Sequence, residues 1–267
     1  MSDMKRRDFI TLLRGAAAWP LAARAQQQAL PVIGFLNGAS AWEYARNADA
    51  FPQGLSETGY AEGRNVLVEY RWAEGHYERL PELAADLIRR QVTVITANTE
   101  AVPVAKAATP TIPIVFAISG DPVAAGLVAS LNRPGGNITG VTSLSVEIGP
   151  KRLELLHELV PTAMVMAALI NPSNPNAEPQ SKALEAAAGA IGVQLHLVHA
   201  STERDLDTAF TSLAQLRARA LVIGVDGFFN TRNEELGRLA LRYAVPAIFL
   251  RRDFVAAGCL MSRRPTL

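Results

Sequence analysis

The chain has 267 residues, a formal net charge of +1 at pH 7 and one cysteine, Cys259. A near-neutral chain without a basic cluster gives no electrostatic reason to expect a nucleic acid partner, and a single cysteine excludes an internal disulfide. Beyond residue 25 no apolar run approaches the length of a membrane span. Because no internal disulfide can form, the hydrophobic core alone must stabilise the fold.

The first 25 residues resemble a bacterial export signal. Residues 5–7 (Lys-Arg-Arg) form a basic start, 12–21 form a short, weakly apolar stretch, and 23–25 supply the small-x-small pattern that signal peptidase reads. The paired arginines favour the twin-arginine route, although Arg14 places a charge inside the apolar stretch. We predict cleavage after Ala25 and a periplasmic location; the alternative is an ordinary basic amphipathic N-terminus.

Short apolar runs then alternate with helical patterns. The predicted strands of the first series cover 32–36, 66–70, 92–95, 112–116 and 138–141. Helices are predicted at about 42–58, at 80–88 and in an alanine-rich stretch before 112. The second of these has an apolar stripe with i, i+3, i+4, i+7 spacing. Runs that are apolar on both faces, with helices between them, are typical of a covered parallel sheet.

A second series of the same kind starts after Gly149-Pro150. Its predicted strands cover 165–170, 193–198, 221–225 and 247–250. The predicted helices cover 150–160, 177–190, 203–217 and 231–243, and Ser201 and Thr202 are candidate caps of the third. The two series predict an α/β fold of two wound parallel-sheet lobes with a cleft between them. We assign 26–145 to lobe 1 and 146–250 to lobe 2.

Small polar residues follow several predicted strands, at the edge where wound α/β sheets bind ligands. The candidate ligand-binding residues are Asn37, Ser40, Asn98, Thr99, Ser119 and Asp121 in lobe 1, and Asn171 and Asp226 in lobe 2. Glu100 follows Thr99, and two phenylalanines follow Asp226-Gly227. Amides and hydroxyls suit a carboxylate, an aspartate suits an ammonium and an aromatic ring suits an apolar group. The set therefore favours a small zwitterion.

Three of these residues have a structural alternative. Asn171 begins the segment Asn-Pro-Ser-Asn-Pro at 171–175, for which the alternative is a rigid loop. Asp121 precedes Pro122, a combination that is common at the start of a helix. Asp226 ends an apolar strand beside two aromatic residues, and a helix cap explains it about as well as a ligand contact does.

Signatures of catalysis and of cofactor binding are missing from the sequence. It contains no GxSxG or Walker A motif, and no GxGxxG between a strand and a helix. His196 and His199 are three apart on a predicted strand, so their side chains point to opposite faces and cannot share a metal ion. We therefore predict no catalytic residue, no metal site and no cofactor.

Several stretches together resemble a known family. They are PVIGFLN at 31–37, GYAEGRNVLVEYRWAEG at 59–75, IPIVF at 112–116, GDP at 120–122, LNRPGGNITG at 131–140 and the Asn171-Pro172 loop. The chain is similar over nearly its whole length to ABC transporter substrate-binding proteins of the type I periplasmic binding protein fold, related to tryptophan and tyrosine binders. The resemblance implies a monomeric periplasmic receptor that closes on a small amino-acid-like ligand and hands it to an inner-membrane ABC permease. It also implies that the eight candidate residues lie in the cleft.

The chain departs from the family pattern at its end. Members continue from a stretch like 258–262 through a long helix and further strands that return to the first lobe, whereas here 263–267 (Arg-Arg-Pro-Thr-Leu) follow. We therefore expect 251–267 to be a truncated crossover and the return segment of lobe 1 to be missing, with faces that it should cover left exposed. Pro52 inside the first predicted helix is a further departure, which costs about 3 kcal/mol or forces a kink.

Three functional interpretations follow from the sequence. The first is a solute-binding protein that captures its ligand by hinge closure without chemistry. The second is a two-lobed small-molecule enzyme of the racemase or lyase type, which needs an acid–base pair across the cleft. The third is a non-functional truncated paralogue.

Overall fold

The computed structural model describes residues 30–41, 50–250, 253–256 and 261–262. The predicted export signal, the first part of the predicted helix at 42–58 and most of the predicted crossover at 251–267 lie outside the described residues. Among the residues that are described, no helix is both long and apolar enough to cross a membrane.

The first lobe is built on a five-stranded parallel sheet with the order β2-β1-β3-β4-β5. Its strands are β1 (Val32–Asn37), β2 (Leu67–Trp72), β3 (Val94–Asn98), β4 (Ile114–Ile118) and β5 (Ile138–Thr142). Its helices are α1 (Ala50–Glu57), α2 (Leu80–Arg89) and α3 (Val102–Ala108), and a single 3-10 turn, Tyr77–Arg79, precedes α2. Pro52 lies within α1.

The second lobe has its own five-stranded parallel sheet, with the order β10-β9-β8-β6-β7. Its strands are β6 (Val165–Ile170), β7 (Gln194–His199), β8 (Leu221–Ile223), β9 (Ala247–Phe249) and β10 (Met261–Ser262). Its helices are α4 (Gly149–Leu159), α5 (Ala177–Ala190), α6 (Glu203–Leu216), α7 (Gly227–Thr231), α8 (Asn233–Arg242) and α9 (Asp253–Ala256). The predicted α/β fold with two parallel-sheet lobes is confirmed.

Two predicted elements of lobe 2 were wrong in extent. The helix predicted at 231–243 is two helices, because Asp226 caps α7 four residues earlier than expected and Arg232, at φ −106° and ψ 24°, interrupts the helix. The strand predicted at 221–225 ends at Ile223. The side chain of Gln180 takes the place of a neighbouring strand beyond it: its Oε1 accepts from the Val225 N–H at 2.6 Å and its Nε2 donates to the Val225 carbonyl at 3.0 Å.

The two sheets are covered to different extents. In lobe 2, one apolar cluster containing Phe210, Phe229 and Phe249 and another containing Leu153 and Ile248 pack on opposite faces of the sheet. In lobe 1, α2 and α3 cover one face through a single large cluster. On the other face Phe51 of α1 packs against Phe35, with ring centroids 5.2 Å apart, and Tyr70 and Trp72 lie beside it.

The face of β4 and β5 that points away from α2 and α3 is exposed to solvent. Val115 is 42% exposed and Val141 is 69% exposed, although both are apolar residues in the middle of parallel strands. Parallel sheets are normally covered on both faces. Part of this face of the first lobe is therefore uncovered by any described residue, and whether a segment is missing from the lobe stays a prediction.

Gly140 allows β5 to lie close to β4. A β-carbon at this position would lie 2.2 Å from the Phe116 carbonyl oxygen, a backbone atom that cannot rotate away. We expect Gly140→Ala to lower the free energy of unfolding by about 1–3 kcal/mol, the usual cost of overpacking. Gly189→Ala is the matched control, because a β-carbon there meets nothing within 4 Å and it lies in α5. It should raise the free energy by about 0.5–1 kcal/mol. Urea unfolding of both variants tests this, and a neutral Gly140→Ala would contradict the close approach.

Candidate functional site

The loops that follow the strands of the two sheets face each other. The Asn174 Nδ2 lies 3.4 Å from Glu100 Oε1, and the Asn176 Nδ2 lies 3.4 Å from Ser119 Oγ. A β-carbon at Gly120 would lie 2.8 Å from the Asn176 side-chain oxygen, so the Gly120 backbone lies close to the Asn176 side chain. The carboxyl ends of both sheets thus meet in one cleft, where the rule for wound sheets places a ligand.

Asn37 and Asn98 shape the lobe 1 side of the cleft. The Asn37 Oδ1 accepts from the Ala39 N–H at 2.9 Å, and the Asn98 Oδ1 accepts from the Gly38 N–H at 3.1 Å. Asn37 is 1% exposed and its Nδ2 has no hydrogen-bond partner, which is costly for a buried donor. Both residues also border a smaller cavity of about 250 Å³ on the side of Phe51.

Thr99 and Ser119 join the next two loops. Their hydroxyl oxygens are 3.3 Å apart, and the Thr99 hydroxyl accepts from the Ser119 N–H at 3.2 Å. Since Ser119 also meets Asn176 of lobe 2, these hydroxyls lie at the junction of the lobes. Ser40 is buried in the loop after β1, at 7% exposure.

Asp121 is used by its own loop. Its Oδ1 accepts from the N–H groups of Val123 and Ala124 at 2.7 and 3.2 Å, which is a capping arrangement around Pro122. The Asp121 carboxylate thus binds the backbone of its own turn.

Asp226 organises the lobe 2 side. Its Oδ1 caps α7 by accepting from the Phe229 N–H at 3.1 Å, while its Oδ2 accepts from the Asn174 Nδ2 at 2.7 Å and the Asn171 Nδ2 at 3.2 Å. Asp226 therefore does cap a helix, which was the structural alternative to a ligand contact. It occupies only one carboxylate oxygen, and the other points into a cluster of buried amides.

Glu100 stands opposite Asp226 and was not among the predicted site residues. It is 5% exposed, accepts from the Asn98 Nδ2, and lies so close to lobe 2 that a β-carbon at Gly227 would be 3.2 Å from its Oε1. Burial, and then the charge of Asp226, raise the pKa of the Glu100 carboxyl to about 7. Burial likewise raises the pKa of Asp226, against the lowering effect of its amide hydrogen bonds.

Tyr77, Asn174 and Asn176 are further residues of the cleft that were missed. Burial, together with the negative charges of Glu100 and Asp226, raises the pKa of the Tyr77 hydroxyl, which therefore stays protonated. Asn174 and Asn176 lie in a polar loop that follows a predicted strand. The sequence alone does not distinguish this loop from a rigid turn, whereas the contacts with lobe 1 place both residues in the cleft. Glu100 carried a similar signal, because it directly follows Asn98 and Thr99 after β3.

A cavity of about 770 Å³ opens beside this cluster, between the lobes. Lobe 1 contributes Gly38, Ala39 and the segment 74–78, which includes Tyr77. Lobe 2 contributes Asn171, Arg204 at the start of α6, Phe228 in α7 and Arg232 directly after α7. Of the eight predicted residues, Asn171 lines this cavity directly. Among the described residues no cluster of three metal-ligating side chains exists.

Thr202 caps the helix at the rim of this cavity. Its Oγ1 accepts from the Asp205 N–H at 3.3 Å, and Asp205 accepts from the Thr202 N–H at 2.9 Å, so the two form a capping box. We expect Thr202→Ala to lower the free energy of unfolding by about 0.5–2 kcal/mol. Thr208→Ala in the exposed middle of α6 is the control and should change it by less than about 0.5 kcal/mol. Equal losses in thermal unfolding would contradict a cap-specific role.

Three comparisons relate the chain to known proteins. The sequence profile of the family described as "ABC transporter substrate binding protein" matches residues 31–264. The "Tyrosine-binding protein" of Clostridioides difficile (strain R20291) is 28% identical over 212 residues, which are 79% of this chain and 60% of that protein. The chain thus spans about 60% of the length of this curated relative.

Two solved structures have the same fold. A conserved domain protein from Vibrio cholerae superposes with a TM-score of 0.78 at 25% identity, over 86% of this chain and 77% of that one. The ABC domain from Streptococcus pneumoniae in complex with L-Trp superposes with a TM-score of 0.75 at 22% identity, over 87% and 78%. Because the family profile matches far more than half of its length, the chain belongs to the ABC transporter substrate binding protein family.

Proposed function

We propose that the chain is the periplasmic solute-binding component of an ABC importer. It captures a small amino-acid-like or aromatic carboxylate ligand by closure of its two lobes and passes it, as a monomer, to an inner-membrane permease. The observation that carries this proposal is the meeting of polar strand-end loops from both sheets beside a cavity of about 770 Å³. A volume of that size is typical of small-molecule sites.

The chemistry of the cavity supports a ligand with charged and apolar parts. Arg204 and Arg232 supply positive charge for a carboxylate, and the rings of Tyr77 and Phe228 supply apolar surface. The name of the Clostridioides difficile relative supports an aromatic amino acid as one member of the class. Of the eight predicted residues, Asn171 lies in the wall of this cavity, and a role of the other seven in ligand binding stays a prediction.

The second candidate function is catalysis by a two-lobed enzyme. One observation favours it: Glu100 and Asp226 face each other across the cleft, and two buried carboxylates that share a proton can act as an acid–base pair. Family membership favours binding without turnover. Chemical analysis of the ligand distinguishes the two functions, because a binding protein releases its ligand unchanged and an enzyme converts it.

Thermal unfolding of the full chain with a panel of L-amino acids and aromatic carboxylates tests the binding function. We expect one ligand class to raise the unfolding temperature, because a ligand that binds only the folded state stabilises it. Mass spectrometry of the recovered ligand then tests for turnover. A cooperative transition that no ligand shifts would overturn the proposed ligand class, and no cooperative transition at all would support the interpretation as a non-functional paralogue.

Export is tested separately. Expression of the full chain in a bacterium with a twin-arginine system should yield a periplasmic product that begins at Gln26, the residue after the predicted cleavage site. Replacing Arg6 and Arg7 together by lysine should retain the precursor in the cytoplasm. A mature periplasmic product from the double-lysine variant would contradict the twin-arginine route.

A further inference from the structure

A second cavity lies at the end of lobe 2 that faces away from the cleft. It has a volume of about 420 Å³ and is enclosed by the loops that precede β6, β8 and β9, at 160–164, 217–220 and 243–246. Because these strands are parallel, all three loops lie at their amino ends, whereas the cleft lies beyond their carboxyl ends. The six residues of β6 separate the two ends by about 20 Å. A molecule in this cavity therefore does not touch a molecule in the cleft.

Most of the wall of this second cavity is apolar. Leu213 and Val245 are buried members of the core of lobe 2. The ring of Tyr243 is fixed in the wall by Phe210, with ring centroids 5.9 Å apart, and by its hydroxyl, which lies 3.0 Å from Thr211 Oγ1. The other apolar lining residues are Val160, Ala214, Ala218, Ala244 and Pro246. An apolar lining and a volume of this size are typical of small-molecule sites.

Two exposed arginines, Arg217 and Arg219, give the second cavity a positive charge. In the part of the chain that the structure describes, neither guanidinium has an ion-pair or hydrogen-bond partner. The three enclosing loops contain no aspartate or glutamate, and Arg242 adds a third positive charge 5.7 Å above the ring of Tyr243. The C-termini of α6 and α8 contribute roughly −0.5 charge each, which the three guanidiniums outweigh. The cavity therefore favours an anion.

The end of α6 does not need the Arg217 guanidinium as a cap. The carbonyls there are satisfied by backbone groups, because the Arg217 N–H donates to the Ala214 carbonyl at 3.2 Å and the Ala218 N–H donates to the Leu213 carbonyl at 3.0 Å. The φ of Arg217 is +54°, in the left-handed region that favours glycine. A side chain at this position is costly for the backbone, and its guanidinium is available to a ligand.

We propose that the second cavity is a binding site, separate from the cleft, for a small anion with an apolar body the size of an aromatic ring. The ring packs against Leu213, Tyr243 and Val245, and the anionic group binds the guanidiniums of Arg217 and Arg219. Arginine binds carboxylate and phosphate oxygens through paired, charge-assisted hydrogen bonds, so an aryl carboxylate and an aryl phosphate share the required chemistry. The proposal is independent of the proposed function, because the two cavities share no lining residue.

Titration calorimetry of the full chain with benzoate, phenyl phosphate and benzyl alcohol tests the ligand class. The three probes share one ring, and only the first two carry a negative charge. We expect at least one anion to bind roughly tenfold or more tightly than benzyl alcohol, which is the effect of a charge-assisted hydrogen bond. The anion that binds more tightly identifies the preferred head group. Equal binding of all three probes, or binding of none, would overturn the site.

Arg217→Gly and Arg219→Gln locate the bound anion. Each should weaken anion binding by roughly tenfold or more. Arg217→Gly should at the same time raise the unfolding temperature, because glycine fits the positive φ of this position. Its weaker binding is then not a result of unfolding. Arg238→Gln is the matched control, because Arg238 is an exposed arginine of α8 that lines neither cavity, and it should leave the affinity unchanged.

Arg204→Gln distinguishes the second cavity from the cleft, because Arg204 lines the larger cavity between the lobes. Weaker binding in Arg217→Gly and Arg219→Gln, with Arg238→Gln unchanged, supports the site whether or not Arg204→Gln alters a separate binding event in the cleft. Anion binding that only Arg204→Gln weakens would place the anion in the cleft and overturn the second site. Anion binding that no variant changes, or that Arg238→Gln weakens equally, would also overturn it.

Discussion

Glu100→Gln is expected to raise the free energy of unfolding by up to about 3 kcal/mol at pH 8 and to leave it nearly unchanged at pH 4. Glutamine keeps the shape and the hydrogen-bonding capacity of a protonated glutamate, so the variant lacks only the charge. The expected gain follows from the raised pKa of Glu100, which goes from 4.5 to about 7 in the buried pair. Each unit of that shift corresponds to about 1.4 kcal/mol.

The sign follows from the protonation states. Below pH 4.5 Glu100 is protonated in both the folded and the unfolded protein, so its burial carries no charge penalty. Between pH 4.5 and about 7 the unfolded chain loses the proton while the folded protein keeps it, and the free energy of unfolding falls as pH rises. Above pH 7 the full penalty is present. Separation of the lobes releases part of it, which makes about 3 kcal/mol an upper bound.

Urea unfolding at pH 4, 5, 6, 7 and 8 measures the effect as the difference between variant and wild type. Glu78→Gln is the control, because its side chain is 74% exposed and should give a small difference that is flat across this range. A gain from Glu100→Gln that is equal at pH 4 and pH 8 would contradict the origin of the effect in a buried charge.

The fold was predictable from the sequence wherever burial alone decides the structure. The strand 165–170 and the helix 177–190 were predicted with the bounds that the structure has, because one is a continuous apolar run buried on both faces and the other is rich in alanine. The strand end at Ile223 was not predictable, since the Val225 backbone pairs with the side chain of Gln180, 45 positions earlier. A local pattern cannot reveal a partner at that distance in sequence.

The cleft was predictable in outline and not in its electrostatics. The rule that ligands bind beyond the carboxyl ends of parallel strands led to Asn98, Asn171 and Asp226 without any contact information. Glu100 was passed over beside them because its significance depends on Asp226, 126 positions later and in the other lobe. For Asp121 the reverse holds, since the neighbouring Pro122 already indicated the turn that its carboxylate caps. Its role in ligand binding stays a prediction.

Ile114→Ala is expected to lower the free energy of unfolding by about 2–5 kcal/mol, whereas Val115→Ala should lower it by less than about 1 kcal/mol. The two residues are neighbours on β4 and point to opposite faces of the first sheet. Ile114 is 1% exposed in the cluster beneath α2 and α3, so its truncation removes buried contacts and leaves a cavity. Val115 is 42% exposed on the uncovered face and loses little.

Urea unfolding of the two variants, with Val141→Ala as a second probe of the open face, decides whether this face of the first lobe is covered. Val141 is 69% exposed, so its variant should behave like Val115→Ala. Losses at Val115 and Val141 as large as the loss at Ile114 would contradict an open face. Small losses at both would show that the first lobe is held together from one side of β4 and β5, by the cluster beneath α2 and α3.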